Sequence, residues 1–583
     1  MQKAGWLDYH SYDESIGLLK EFALAHASLA GRFQVSLSRI ISESAWDQLL
    51  GFELDYRDSD DPLSLYHARQ ALSFFQKFEP LRWTGSKDKE KAAFRSFVQS
   101  EGTCSRVNQR FCNYRLGTPM GYPYDVILTD AREKIRKVLD AAPALEQLEF
   151  TFGPGSTVST KKKEACFRVK LGAPPECSSE LMQFVDRFLS QLPLYTLLHA
   201  DEVGLDFADV YVARVFGRLQ FVPKDAKKFR TIIVEPGLNV LFQQGLGKAI
   251  RKRLKKAGID LSTQERNRAL AKLGSENNSI ATVDFSSASD NIASQLVAFL
   301  LPDDWLTLLS LARTGQVEYE GIVHKLEKFS TMGNSFTFEL ESLIFWALAW
   351  ACLRHLGLSQ RLLSIFGDDL IIPSDAYSLC ELVFAFCGFT INDRKSFRSG
   401  PFRESCGGDF FKGLDIRPYY QKTLVSPETL FSLHNYYMRS GELDFAKVVR
   451  SKLHPDLIIF GPDGYGDGHL IGDWTPLRKK VKITAVDAKG RRKVERVFPS
   501  ELGWSGGFFY SYRHVQARDE RRHAGDELLP AYSIYARGEG DNQKQPHSPQ
   551  GQCDWADPKY FVVPGSVGYE KVPIYTQRLG IFL

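Results

Sequence analysis

Between Ile280 and about Gly413 the chain alternates between two hydrophobic periods. Ile280 to Val283 is a short apolar, β-branched run closed by Asp284, which predicts a strand. After Asp290, apolar positions recur at helical spacing to about Leu301, with Pro302 just beyond. Tyr319 to Lys328 reads as extended or hairpin structure. Thr337 to Leu356 is apolar almost all round, the pattern of a helix buried on every side. Ser364 to Phe366 and Leu370 to Pro373 are short apolar runs flanking Gly367-Asp368-Asp369, which predicts a hairpin with a tight acidic turn. Ala376 to Cys387 is helical again, and Phe389 to Ile391 a strand. The order strand, helix, helix, hairpin, helix, strand is that of an α+β sheet with helices packed on one face.

Outside this region the pattern is sparser. Leu63 to Lys77 has helical spacing, with Asp61 and Pro62 as a start signal. Ala131 to Ala142 is a second helix, stopped by Pro143. Gly117 to Tyr124 and Phe150 to Thr160 are Gly- and Pro-containing loops. Past Ser426 the spacing predicts a helix from His434 to Val449, and loops at 461–474 and 536–553. No repeat of solenoid period occurs.

Composition changes this picture little. At 583 residues with 43% hydrophobic and 25% charged positions, the chain is long enough for several ordinary globular units. The net charge of +4 is too small for a polycation, so a nucleic-acid partner would have to be held by local patches. Lys224 to Lys256 is such a patch, with ten Lys or Arg against two acids, and basic runs recur at Lys479–Arg496 and Arg513–Arg522. Nine scattered cysteines without Cys-x-x-Cys argue for free thiols and against a zinc knuckle. The N-terminus lacks the apolar core of a secretory signal. The most apolar stretch, Leu343 to Leu353, is too short to span a bilayer, so no membrane role is expected. There is no Gly-x₄-Gly-Lys-Ser/Thr, which excludes a P-loop motor, and no His-x₃-His, which leaves zinc hydrolysis unsupported. Asp463-Gly-Tyr-Gly-Asp467-Gly opens like a calcium loop, but Tyr465 and Trp474 stand where oxygen ligands are needed, and it reads as an ordinary turn.

The acidic turn carries the chemistry. Two adjacent carboxylates at a hairpin tip repel one another unless a cation lies between them. Oxygen ligands without Cys or His select Mg²⁺ over zinc. Alone, Gly-Asp-Asp is better explained as a self-capping turn. Its place between two apolar strands, with Asp284 ending a third strand upstream, favours a metal site of Asp284, Asp368 and Asp369. Two ions held there could activate a hydroxyl and stabilise a leaving pyrophosphate.

Five ordered strings then resemble one family. Asp284-Phe-Ser-Ser-Ala-Ser-Asp290 looks like polymerase motif A, Ser330 to Ser342 (STMGNSFTFELES) like motif B, and Phe366 to Ile372 (FGDDLII) like motif C. Val234-Glu-Pro-Gly237 and Gly400-Pro-Phe-Arg-Glu-Ser-Cys-Gly407 complete the set. Their order and wording are similar to the catalytic beta subunit of replicases from single-stranded RNA bacteriophages, the leviviruses. The resemblance is strong over about 210–435 and weak beyond about 450.

It implies a right-hand polymerase with an antiparallel-sheet palm of RRM or ferredoxin-like type. The N-terminal region and fingers would occupy 1–269, the palm 270–435 with its catalytic core at about 270–402, and the thumb and C-terminal region 436–583. It implies RNA-directed RNA synthesis from ribonucleoside triphosphates, with Asp284, Asp368 and Asp369 holding two Mg²⁺ ions, for which Mn²⁺ is a candidate substitute. Pro223 to Arg230 resembles motif F, so Lys224, Lys227 and Arg230 would meet the triphosphate. Gly333, Asn334 and Thr337 would position substrate and template. Glu341 stands where the broader polymerase pattern often has Asn, so Ser289, Asp290 and Asn334 are candidates to read the 2′-hydroxyl. Lys395 is placed like a motif D lysine, and a surface lysine explains it equally well. For the basic helix Lys248–Lys256, a solvated face and RNA contact stand level. Implied partners are RNA template and product, host elongation factors Tu and Ts and a host ribosomal protein, in the cytoplasm of an infected bacterium. The alternatives are a reverse transcriptase and a non-catalytic RNA-binding protein. Residues 287–291 offer no bulky aromatic to exclude a 2′-hydroxyl, which argues against the first, and retention of all three acids argues against the second.

Overall fold

The structure is a computed structural model, and it describes residues 9–153, 155–162, 165, 167–200, 210–477, 481–486, 492–497, 508–514 and 569–575. The described residues divide into two compact units, 23–418 on one hand, 9–22 with those from 419 onward on the other.

In the larger unit, α1 (Pro62–Gln76) starts where the sequence places it, with the Asp61 carboxylate accepting from the Ser64 N–H and Pro62 in the first turn. α2 (Lys89–Arg115) is a 27-residue helix that the pattern did not predict. α3 (Tyr124–Leu139) begins about two turns earlier than expected from spacing. A hairpin of β1 (Gly217–Pro223) and β2 (Phe229–Val234) is followed by α4 (Gly237–Lys256) and α5 (Glu265–Asn277). The predicted region then runs β3 (Ile280–Val283), β4 (Phe285–Ser286), α6 (Ser294–Leu300), a further helix Asp303–Ala312 that the pattern did not predict, β5 (Gln316–Tyr319), β6 (Ile322–Lys325), α7 (Thr337–His355), β7 (Ser364–Phe366), β8 (Asp369–Pro373), α8 (Tyr377–Phe386) and β9 (Thr390–Ile391). β10 (Phe402–Ser405) and β11 (Gly408–Phe411) form a hairpin after it. The unit is α+β.

Two sheets organise the unit. In the first, β8 lies between β3 and β7, antiparallel to both, with Leu370 opposite Val283 and Ile372 opposite Ala281. Alternation along these strands sends Ala281, Val283, Leu370 and Ile372 into the main core, where α7 is buried along nearly its whole length. Ile280 and Ile371 face the opposite way, against Ala271 of α5 and Phe410. The second sheet has the order β2, β1, β5, β6, with β1 and β5 parallel. β4 pairs with β9, so the chain after Asp284 is tied to the segment after α8.

In the smaller unit the helix expected over 434–449 is two helices, Pro427–Ser440 and Leu443–Ser451. Gly441 separates them in the left-handed conformation at φ +82°, which glycine adopts without a Cβ penalty. The calcium-like turn is a clasp for a guanidinium: Arg439 lies 2.8 Å from Asp463 and 2.9 Å from Asp467. Segment 461–474 is mostly loop, with one residue pair at each end in short parallel pairing. The expected loop at 536–553 lies outside the described residues. Of the two C-terminal basic runs, Val481–Val486 and Arg492–Val497 pair as a hairpin, and most of the other is likewise not described.

Candidate active site

The acidic turn is held from two helices. Gly367 has φ +65°, and its N–H donates to Ser342 Oγ at 3.0 Å, while that hydroxyl donates to the Phe338 carbonyl of α7. A Cβ at Gly367 would lie 2.7 Å from the Phe338 ring, so both backbone angle and packing require glycine. From α5, Asn267 donates to the Asp369 carbonyl at 2.9 Å and accepts from Ser364 at 2.6 Å. The turn therefore presents Asp368 and Asp369 beside β3, which Asp284 directly follows.

The three carboxylates feel one another. Burial, then the charge of Asp284, raises Asp368 above its ordinary value. Burial and Asp368 push Asp369 up to about 7, against the opposing effect of donors from Cys406. Two lysines answer this charge. Lys395 Nζ is 3.9 Å from Asp284 Oδ2, and although partial burial works against it, Asp284, Glu404, Asp368 and Asp369 raise its pKa. Lys224 is lowered by removal from water and by the cations Arg230 and Lys395, with Asp284 pulling the other way. Among the described residues, no three His, Cys, Asp or Glu side chains converge closely enough to enclose a metal by themselves. An oxygen-only, mutually repelling set of this kind suits a Mg²⁺-type ion, which keeps waters and takes substrate phosphates as further ligands.

Lys224, Lys227 and Arg230 lie at the tip and returning strand of the β1–β2 hairpin. Asp225 caps the turn by accepting from the N–H groups of Lys227 and Lys228 at 2.8 and 2.7 Å. Trp83 donates to the Ala226 carbonyl at 3.0 Å, anchoring the tip. The structure brings Lys224 and Arg230 into one electrostatic group with Asp284, and records Lys227 through its backbone contact.

The loop before α7 is built around Gly333, at φ +116°, where a Cβ would lie 2.0 Å from the Ile233 carbonyl oxygen. The neighbouring Met332 carbonyl accepts from the Ile233 N–H at 2.8 Å, so this loop docks directly on β2. Asn334 Oδ1 accepts from the Phe336 N–H, and Thr337 Oγ1 donates to the Thr331 carbonyl at 2.8 Å. Both side chains thus brace the loop itself.

Ser289 is buried, and Asp290 partly buried, beside Glu341. Ser289 Oγ donates to both Glu341 oxygens at 3.2 and 3.1 Å. Burial, then Asp368, holds Glu341 well above the usual carboxylate range. Asp290 is bound by Lys328, a fully buried ammonium 2.9 Å away that also meets Glu101 at 3.2 Å. Sequence reasoning missed Lys328 and Glu101, which are far apart in the chain, and missed Asn392 and Ser396, which contact Asp284. Most of the basic face of α4 is ion-paired to acids outside the helix. Lys248 and Lys252 pair with Glu149, Arg251 with Glu339, Arg253 with Asp140 and Lys255 with Asp260.

Glu235, within the matched Val234-Glu-Pro-Gly237 string, is buried and accepts from Thr314 and Gln243. Burial raises it from 4.5 to about 7. A carboxyl raised on folding stabilises the fold below its unfolded pKa, and that stability is lost as pH climbs through the folded value. Denaturant titrations should therefore show Glu235→Gln flattening the decline in stability between pH 4.5 and about 7. At pH 8 the variant should exceed the parent by on the order of 3 kcal/mol. Identical pH profiles for the two proteins would disprove this.

Comparison with known proteins places the whole constellation in context. The family described as RNA replicase, beta-chain, matches residues 57–453. The RNA-directed RNA polymerase subunit beta of Escherichia virus Qbeta is 35% identical over 405 residues, 66% of each chain. That of Qbeta virus strain MX1 is 36% identical over 428 residues, 70% of this chain and 69% of the relative. The chain thus spans about two thirds of the length of these relatives. The RNA-directed RNA polymerase beta chain of Escherichia phage MS2 is 45% identical over a shorter stretch, 36% of this chain and 38% of the relative.

Proposed function

The chain belongs to the RNA replicase beta-chain family, and from that premise we propose that it is an RNA-directed RNA polymerase acting by a two-cation mechanism. The observation that supports the mechanism is the pairing of β3 with β8, which sets Asp284, the residue after β3, within electrostatic reach of Asp368 and Asp369 in the β7–β8 turn. In this reading β3, β7 and β8 belong to an RRM-like palm over 270–435, with its catalytic core at about 270–402. Residues 1–269 contribute the fingers, and 436–583 the thumb and C-terminal region.

Asp284, Asp368 and Asp369 would hold two Mg²⁺ ions, replaceable by Mn²⁺. Bound there, the ions would supply activation of the growing strand's 3′-hydroxyl and neutralisation of the departing pyrophosphate. The chain's own residues do the rest. Lys224 and Arg230, with Lys227, balance the triphosphate charge. The 3′-oxygen bonds to the α-phosphorus, the α–β phosphoanhydride breaks, and pyrophosphate leaves. In this reading Lys395, 3.9 Å from Asp284, gives that leaving group a proton. The loop Gly333–Thr337 seats template and nucleotide, while Ser289, Asp290 and Asn334 read the ribose. RNA and ribonucleoside triphosphates are the proposed ligands. Elongation factors Tu and Ts and a ribosomal protein are the proposed host partners, in the cytoplasm of an infected bacterium. Among the described residues no helix is long and apolar enough to cross a membrane.

The test offers ribo- and deoxyribonucleoside triphosphates separately on an RNA template with Mg²⁺. Incorporation of ribonucleotides is expected. Deoxynucleotide incorporation alone would identify a reverse transcriptase instead, and RNA binding without any incorporation a non-catalytic protein.

A further inference from the structure

Asp284 is gripped by one short segment, 392–396, which follows β9. Its N–H donates to Ser396 Oγ at 3.0 Å. Its carbonyl accepts from the Asn392 N–H at 2.9 Å and from the Ser396 hydroxyl at 3.2 Å. Its carboxylate accepts from the Asn392 side-chain amide at 2.9 Å, and Lys395 lies 3.9 Å away. Both side-chain contacts fall on the same oxygen, Oδ2. The pairing of β4 with β9, where Ile391 lies opposite Phe285, fixes the segment on either side of this grip.

The division of labour is informative. Ser396 and the backbone bonds hold the main chain of Asp284. The Asn392 amide holds only the carboxylate, and it does so without adding charge. A carboxylate with one oxygen engaged by a fixed donor has its rotation about χ2 restrained, so its other oxygen is presented in one direction. A lysine alone, on a flexible stem and 3.9 Å away, sets charge but not orientation.

We propose that Asn392 is a positioning residue for Asp284, fixing which carboxylate oxygen faces the divalent cation. This rests on Asp284 being a cation ligand, as in the function proposed above. Asn392 does not touch substrate; it acts through Asp284.

The experiment measures Mn²⁺ binding to the full-length chain by electron paramagnetic resonance, without nucleotide, alongside synthesis rates at varied Mn²⁺. Asn392→Ala should weaken Mn²⁺ binding about 10-fold, as loss of an outer partner of a metal ligand does. Synthesis by that variant should fall at limiting Mn²⁺ and recover at saturating Mn²⁺, with an unchanged KM for nucleotide. Its melting temperature should stay at the parent value, because Ser396 and the β4–β9 pairing remain. Asn392→Gln, which retains the amide donor, should restore most of the binding. Parental Mn²⁺ affinity in Asn392→Ala, while Asp284→Asn loses binding, would overturn this proposal and leave the ligand assignment standing. Parental affinity in Asp284→Asn would overturn the ligand assignment, and this proposal with it. Weakened binding that tracks a lowered melting temperature and is not rescued by Asn392→Gln would reduce Asn392 to a structural role, and would also overturn it.

Discussion

Asp368→Asn is expected to lower RNA synthesis by about 10³-fold or more, the equivalent of roughly 4 kcal/mol of transition-state stabilisation. The substitution keeps the size and shape of the side chain and removes its charge. In the proposed function Asp284, Asp368 and Asp369 would share the cation, which would lose a ligand when one of them becomes an amide. RNA binding should be almost unchanged, because phosphate contacts come from lysine and arginine side chains and not from Asp368. Stability gives a second, opposite sign. Burial and Asp284 raise Asp368, so its ionised form is a cost to the metal-free fold at neutral pH. The amide removes that cost, and the metal-free variant should melt no lower than the parent at pH 7. Inactivity combined with an equal or higher melting temperature separates a lost ligand from a damaged fold. Near-normal synthesis would refute the assignment.

The parts of this site that were legible in the sequence are those fixed by local pattern. Two short apolar runs around Gly-Asp-Asp could only be a hairpin, and the structure pairs Ser364–Phe366 with Asp369–Pro373. Thr337 to His355 was readable because a helix buried all round has no polar stripe to disguise its length. The Lys89–Arg115 helix was not. Its buried seam is Ala93, Phe97, Ser100, Cys104, Val107 and Phe111, a regular three-and-four spacing hidden by Ser and Cys among charged neighbours. The join at Gly441 was missed because apolar spacing continues through it, and only the backbone angle breaks the helix. The basic face of α4 carried a different lesson. Ten basic residues against two acids in one window looked like a nucleic-acid patch. Glu149, Asp140, Asp260 and Glu339, which pair five of those cations, come from outside that window. Pairings between distant segments have no local signature, and Asn392 and Ser396 on Asp284 were invisible for the same reason.

Lys328→Met makes the largest demand on such a distant pairing. Lys328 is fully buried, with its ammonium 2.9 Å from Asp290 and 3.2 Å from Glu101, above the ring of Phe97. Burial alone would lower its pKa, but Asp290 and Glu101 outweigh it and the net shift is upward. A lysine raised on folding contributes its stability below the unfolded value and loses it only as pH rises through the higher folded one. The contribution should therefore be constant across pH 6 to 9. Methionine fills similar volume but leaves two carboxylates in one pocket without a counter-charge, a loss of about 3–5 kcal/mol for a broken buried pair. Asp290→Asn added to Lys328→Met removes one of the stranded charges and should recover part of that loss. This identifies the cost as electrostatic and not as a packing defect. Denaturant unfolding of the parent, the single variant and the double variant decides the matter. A single variant within about 1 kcal/mol of the parent, or a double variant no more stable than the single, would show that Asp290 is held by something other than this ammonium. If the expected order is found, the residue proposed to read the ribose is oriented by a charge pair that spans α2 and the strand-to-helix connection after β6. A ribose-selectivity defect in Lys328→Met would then follow from geometry, without any contact between Lys328 and the nucleotide.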